Sequence, residues 1–178
     1  MKIKLLVVQI LLFSYCGFAQ NIALNKPTEQ SSTFGAGVSS RAVDGDQNGA
    51  WGGKSVTHTN GGENAWWKVD LGGNYNINAI SFYNRTNNCC YARIEGAKIL
   101  VGLVDSENPI DYTEILSLSA TTEPQLFTSL NVTARYIMVY KEASENGLNI
   151  AEFEVYGELS LEDATSTCLL YTSDAADD

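Results

Sequence analysis

The sequence predicts an all-β fold, an antiparallel β-sandwich or jelly roll. Three observations carry this. Short runs rich in Val, Ile, Tyr, Phe and Trp recur along the chain, turn-forming residues separate them, and no long segment keeps a helical period. The run at 66–71, WWKVDL, alternates Trp67, Val69 and Leu71 with Trp66, Lys68 and Asp70, the period of a strand with one buried face. Gly72-Gly73-Asn74 then signals a turn before a strand at 78–83. Further strands are expected at 98–103, 113–117, 125–127 and 136–140. Glu145-Asn146-Gly147 breaks the chain before a last strand at 152–156. There Ala151, Phe153 and Val155 alternate with Glu152, Glu154 and Tyr156 in the manner of a half-buried strand. Residues 21–157 are expected to form one domain, and 158–167 the start of a linker.

Both ends are set apart from that domain. Residues 1–19 have the layout of a secretory signal: Lys2 and Lys4 first, a nearly apolar stretch over 5–13, then the small residues of Gly17-Phe18-Ala19. The apolar stretch is too short to span a bilayer. A lipoprotein would need Cys16 as its acylated residue, and Tyr15 before it fits that poorly. Export leaves Gln20 as the new N-terminus of a secreted, extracellular or cell-surface protein, where cysteines can pair. Residues 168–178, CLLYTSDAADD, back-translate to a transposase-end sequencing adapter. The natural reading frame is therefore expected to be cut near Thr167 and the protein to be longer.

Of 178 residues, 44% are hydrophobic, enough for a real core, and 11 Lys plus Arg stand against 21 Asp plus Glu for a net charge of −10. That balance argues against a nucleic-acid partner and against binding an anionic membrane surface.

Three features carry chemistry. Asp44-Gly45-Asp46-Gln47-Asn48-Gly49 places oxygen ligands at alternating positions, as calcium loops do. Ser55 stands where the helix-loop-helix version needs a bidentate Glu, and the flanks are not helical, so that motif is rejected. On its own the turn reads as a plain Asx turn. Next, His58 is the single histidine, followed by Arg85 and Arg93. One imidazole and two guanidinium forks suit the hydroxyls and ring oxygen of a sugar, although each residue type also serves structural roles. Last, Cys89 and Cys90 are adjacent. A bond between them would close a strained ring, and such strain tends to persist at ligand sites. Free thiols or pairing between chains are the alternatives.

NIALNKPTEQSS at 21–32, AVDG at 42–45, WWKVDL and NRTNNCC at 84–90 together resemble the F-type lectin (fucolectin) family, part of the discoidin-like superfamily, over nearly all of 21–157. The opening and WWKVDL indicate the superfamily. The set His58, Arg85, Cys89-Cys90 and Arg93 narrows the resemblance to the fucose binders. It implies a jelly roll with a shallow pocket at one end. There His58, Arg85 and Arg93 would bond the ring oxygen and hydroxyls of α-L-fucose. A Cys89-Cys90 disulfide would pack on the sugar's apolar face, with Trp51, and Phe34 beside it, around the methyl group. The resemblance also implies a structural calcium ion held by the side chains of Asp44, Asp46 and Glu152, with oxygens from Arg41, Ser55 and Ala151. In two places the sequence departs from the family pattern. Asn87 stands where the family has an acid, and Arg93 lies one residue late, so the extra residue either bulges and leaves Arg93 in place or re-aims it.

The leading expectation is a non-catalytic, calcium-stabilised lectin domain for terminal α-L-fucose on fucosylated glycans. Weak single sites would be strengthened by oligomers or tandem copies. The alternatives are a targeting module of a larger secreted glycoside hydrolase, a hydrolase in its own right, and a discoidin-like adhesion module.

Overall fold

The structure, a computed structural model, describes residues 20–143 and 145–162. The expected signal segment and the adapter-like tail lie outside them. Among the described residues six strands form the domain: β1 (Thr28–Gln30), β2 (Ala65–Tyr83), β3 (Lys98–Gly102), β4 (Thr113–Ser117), β5 (Gln125–Lys141) and β6 (Glu152–Leu159). Short 3-10 turns at Ser39–Val43, Trp51–Gly53, Tyr91–Ile94 and Pro109–Asp111 decorate the loops.

Two expectations about strand boundaries are corrected. The strands read at 66–71 and 78–83 are one continuous strand, β2, and those at 125–127 and 136–140 are likewise one, β5. Gly72-Gly73-Asn74 bends β2 instead of ending it. Gly72 sits at φ +84°, where residues with a Cβ are strained, and its N–H donates to Asp70 Oδ1 at 2.8 Å. The neighbouring strand stays tied at this corner, because Arg135 grips both Asp70 oxygens at 2.8 and 2.9 Å. The register between the two strands slips between Asp70 and Tyr75.

The bend folds one sheet into two layers. The first half of β2 pairs with β1 and with the end of β5, and β5 continues to β3 and β4. The second half of β2 pairs with β6 and with the start of β5. Trp67 from the first layer meets Phe153 from the second with ring centroids 5.3 Å apart. Trp67, Val69 and Leu71 are fully buried beside Ile77, Ile80, Phe82, Ile137 and Val155. Each such large side chain contributes about 1.5–3 kcal/mol by leaving water.

The outer face of β2 is covered too. Trp66, Leu100, Tyr112, Tyr136 and Met138 make a second apolar cluster. Lys68, 4% exposed, crosses it to pair with Glu29 at 3.1 Å and with Asp105. β1 has no signature in the sequence, because three polar residues show no alternation. The last strand differs from its reading in two ways. It runs to Leu159, past the boundary expected at 157. It is also buried on both faces, since Glu152 is fully buried and Glu154 nearly so.

Candidate ligand-binding site

The loops at one end of the sandwich converge on a cavity of about 440 Å³. Its lining includes Phe34, Trp51, His58, Arg85, Cys89, Cys90 and Arg93, with Gly61, Glu145 and Asn146 completing the wall. Every residue expected at the sugar site is therefore in one place.

His58 lies on an extended segment clipped from both sides. Its N–H donates to the Gly37 carbonyl at 2.9 Å, and its carbonyl accepts from Phe34 at 2.8 Å. Thr57 and Thr59, its neighbours, are tied by main-chain bonds to Ile150 and Leu148. Gly37 is required here, because a Cβ at that position would sit 2.6 Å from the His58 nitrogen. The ring is held by its two nitrogens. Nδ1 meets the Thr59 carbonyl at 2.6 Å, and Nε2 meets Arg93 Nη1 at 3.0 Å. A carbonyl can accept but not donate, and a guanidinium can donate but not accept. Nδ1 therefore carries the proton, and Nε2 is a neutral acceptor. Burial, with help from Arg93 and Arg85, holds the imidazole below its ordinary value, against the Thr59 bond.

The loop after β2 carries the rest of the cavity. Buried Asn84 staples it: its amide donates to the Tyr91 and Thr121 carbonyls at 2.9 and 2.8 Å, and its oxygen accepts from the Arg85 N–H at 2.7 Å. Arg85, 8% exposed, is fixed by two neutral amides. Nε donates to Asn87 Oδ1 at 3.0 Å and Nη1 to Asn149 Oδ1 at 3.1 Å. Asn87 Oδ1 also accepts from the Trp51 N–H at 2.9 Å. The Arg85 guanidinium lies 5.1 Å from the Trp51 ring. Burial first, and Arg93 second, lower the Arg85 pKa. Cys89 and Cys90 are joined in a disulfide across adjacent residues. The 3-10 turn Tyr91–Ile94 follows directly, and its Arg93 lines the cavity. Phe34 and Trp51 flank His58, with ring centroids at 4.7 and 5.3 Å.

The cavity thus combines directional donors with sulfur and aromatic carbon, a set suited to a ligand with hydroxyls and an apolar face. Asn149 was invisible to sequence reasoning. An Asn in a loop carries no sign that it holds an arginine 64 residues away. Glu145 and Asn146 read simply as turn formers.

The acidic turn lies behind this cavity. Asp44 Oδ1 accepts from the Asp46 N–H at 2.9 Å, Asp46 Oδ1 from Asn48 at 3.0 Å and Asn48 Oδ1 from Ala50 at 3.0 Å. Three successive Asx turns result. The turn also docks on β6, because the Gly45 N–H donates to Glu152 Oε1 at 3.2 Å and Gln47 donates to Glu154 at 2.8 Å. The Ser55 hydroxyl donates to the Asn48 carbonyl. Arg41 turns its guanidinium toward the Val56 carbonyl, 3.2 Å away, and the Ala151 N–H donates to the Tyr83 carbonyl at 2.9 Å. Thr86, in the arginine loop, donates its N–H to the Gly49 carbonyl at 2.8 Å, which couples the turn to the cavity. Glu152 Oε2 is buried without a hydrogen-bond partner. Burial, with Asp44 and Glu154 nearby, pushes this carboxyl up to about 8. Among the described residues no three His, Cys, Asp or Glu side chains group closely enough to hold a metal by themselves. A cation here would draw on main-chain and hydroxyl oxygens as well. A hard divalent cation fits such oxygens and would neutralise the orphaned Glu152 carboxylate.

Comparisons with known proteins agree with this architecture. The family model described as NedA-like, galactose-binding domain matches residues 41–139. Fucolectin-6 of Anguilla japonica is 35% identical over 116 residues, 65% of this chain and 61% of the relative, so the chain spans less than two thirds of that protein. The fucolectin of Anguilla anguilla is 32% identical over 148 residues, 78% of this chain and 92% of the relative. Among solved structures, the lectin domain of lectinolysin complexed with Lewis B antigen matches with a TM-score of 0.68 at 33% identity, covering 78% of this chain and 97% of that one. With its bent two-layer sheet and these relatives, the chain belongs to the F-type lectin (fucolectin) family, within the discoidin-like superfamily.

Proposed function

We propose that this protein is an exported, non-catalytic lectin domain that recognises terminal α-L-fucose on glycans and is stabilised by calcium. The observation that carries the reading is the meeting of His58, Arg85, Arg93, Trp51 and the Cys89–Cys90 disulfide around one cavity. Two guanidiniums supply directional donors to hydroxyls and the ring oxygen, and His58 Nε2, which accepts from Arg93 Nη1 at 3.0 Å, aims one of them. The disulfide and Trp51 present an apolar ledge for the carbon face and methyl group of a deoxy sugar. The relatives named fucolectins, and the lectinolysin domain seen with Lewis B antigen, support the same ligand class.

Glu145 is the one carboxylate lining the cavity among the described residues. Glycoside hydrolysis ordinarily needs two facing each other, which favours recognition over turnover. Calcium rests on the buried, unpartnered Glu152 Oε2 beside the Asp44–Asp46 turn, with Ser55 and the carbonyls of Arg41 and Ala151 as further oxygens. Its place would be to rigidify the turn that the arginine loop leans on.

A glycan array probed with the mature chain in calcium tests the reading, alongside Arg85→Ala. The wild type is expected to select fucosylated glycans. The variant should lose about 10- to 150-fold in affinity, since a charged hydrogen bond contributes about 1.5–3 kcal/mol, while keeping a cooperative melt. Absence of fucosylated glycans among the wild-type hits, or full binding by the variant, contradicts the proposal.

A further inference from the structure

The two arginines of the cavity have no ion-pair partner among the described residues. The ion pairs of the described residues join Lys68 to Glu29 and Asp105, Lys98 to Glu114, and Arg135 to Asp70. Neither Arg85 nor Arg93 takes part in them. Arg85 is nine-tenths buried, and its fixed partners are the uncharged oxygens of Asn87 and Asn149. Arg93 points Nη1 at the acceptor nitrogen of a neutral His58. The single acid in the wall, Glu145, is exposed and lies beyond ion-pair range of both arginines. Two guanidiniums therefore share one concave site with no carboxylate in ion-pair range of either, and burying an unpaired charge is costly. The same electrostatic cost is visible in Arg85 itself, whose protonation is weakened by burial and by Arg93. Arg85 spends Nε and one Nη on the amides, which leaves the Nη2 end of its fork for a ligand. A planar fork matches the paired oxygens of an oxyanion.

The charge of the whole chain sharpens this point. At net −10 the protein repels polyanions at long range, so attraction of an anion would belong to this cavity.

We infer that the sugar preferred by this site carries an anionic group, a sulfate ester or a carboxylate, which the unpaired Arg85 and Arg93 receive. The inference rests on the proposed carbohydrate reading of the cavity and narrows its ligand from neutral fucosyl glycans to acidic ones. Asn87 sets this preference. Its oxygen accepts from both Arg85 Nε and the Trp51 N–H, so an aspartate could keep both bonds while supplying the missing charge.

Calorimetry on the mature chain tests this with three probes: a sulfated fucan oligosaccharide, the same oligosaccharide after desulfation, and a matched fucosyl oligosaccharide carrying glucuronate. At low salt the sulfated probe is expected to bind about tenfold more tightly than its desulfated partner, as charge-assisted bonds outdo neutral ones. That advantage should shrink as salt rises. An equal gain from glucuronate assigns the preference to any oxyanion, and a gain from sulfate alone assigns it to the ester; both support the inference. Asn87→Asp should collapse the ratio between charged and neutral probes, whereas a merely structural defect would lower both affinities together. Equal binding of all three probes by the wild type, or an unchanged ratio in Asn87→Asp, overturns the inference and leaves the fucose reading intact. Binding of none of the probes by folded protein overturns both.

Discussion

His58 is the residue at which charge and recognition meet. Its pKa lies below the ordinary value of 6.5, chiefly through burial. For a depressed histidine the folded state disfavours the proton. Its contribution is complete above 6.5 and is lost as pH falls through the folded-state value. Protonation would also remove the Nε2 acceptor and add a third cation beside Arg85 and Arg93. Affinity for neutral fucose is therefore expected to be flat at neutral pH and above, and to fall in acid below 6.5. Titration calorimetry across pH checks this, and an affinity that rises in acid contradicts it. His58, Arg85 and Arg93 were singled out through the family resemblance, because their spacing alone does not separate a ligand contact from a structural role. Asn149 was not. Its function lies in a single hydrogen bond across 64 residues, which leaves no local pattern.

At the level of elements, the loop 84–91 is as important as the strands. Asn84 gives it three hydrogen bonds, none of them exposed. Asn84→Ala would leave two carbonyls and one N–H without their partner, at a cost of about 2–4 kcal/mol. Denaturant unfolding should show that loss. Fucose affinity should drop as well, because Arg85, Asn87 and the disulfide share the loop. A stability loss with unchanged affinity would show that the loop holds its shape without the staple. Period-two alternation made the inward faces of β2 and β6 legible, since apolar burial dictates it. Strand ends were less so. Glycines at 72–73 look like a turn, yet the long strand simply bends there, held by Asp70 and Arg135. The buried outer face of β6 was also hidden, because its cover is the acidic turn 107 residues earlier.

Across the whole molecule, the metal reading makes a prediction with a sign. In metal-free protein the Glu152 carboxyl is raised from 4.5 to about 8. A raised acid stabilises the fold below its unfolded value, and that contribution is lost as pH rises toward 8. Bound calcium would reverse the preference by favouring the carboxylate. Chelation should therefore lower the melting temperature, and the drop should widen between pH 5 and 8. A melt indifferent to chelator throughout that window would remove calcium from the fold. The sequence pointed to this turn only through its family resemblance, because three Asx turns account for its residues equally well.

Crystals of the mature chain grown with methyl α-L-fucoside bear most directly on how the domain recognises its ligand. The sugar is expected in the loop-end cavity, its ring oxygen and hydroxyls within hydrogen-bond reach of His58, Arg85 and Arg93 and its carbon face against Cys89–Cys90. Fucoside seated on another surface, with this cavity empty at saturating ligand, would contradict that geometry.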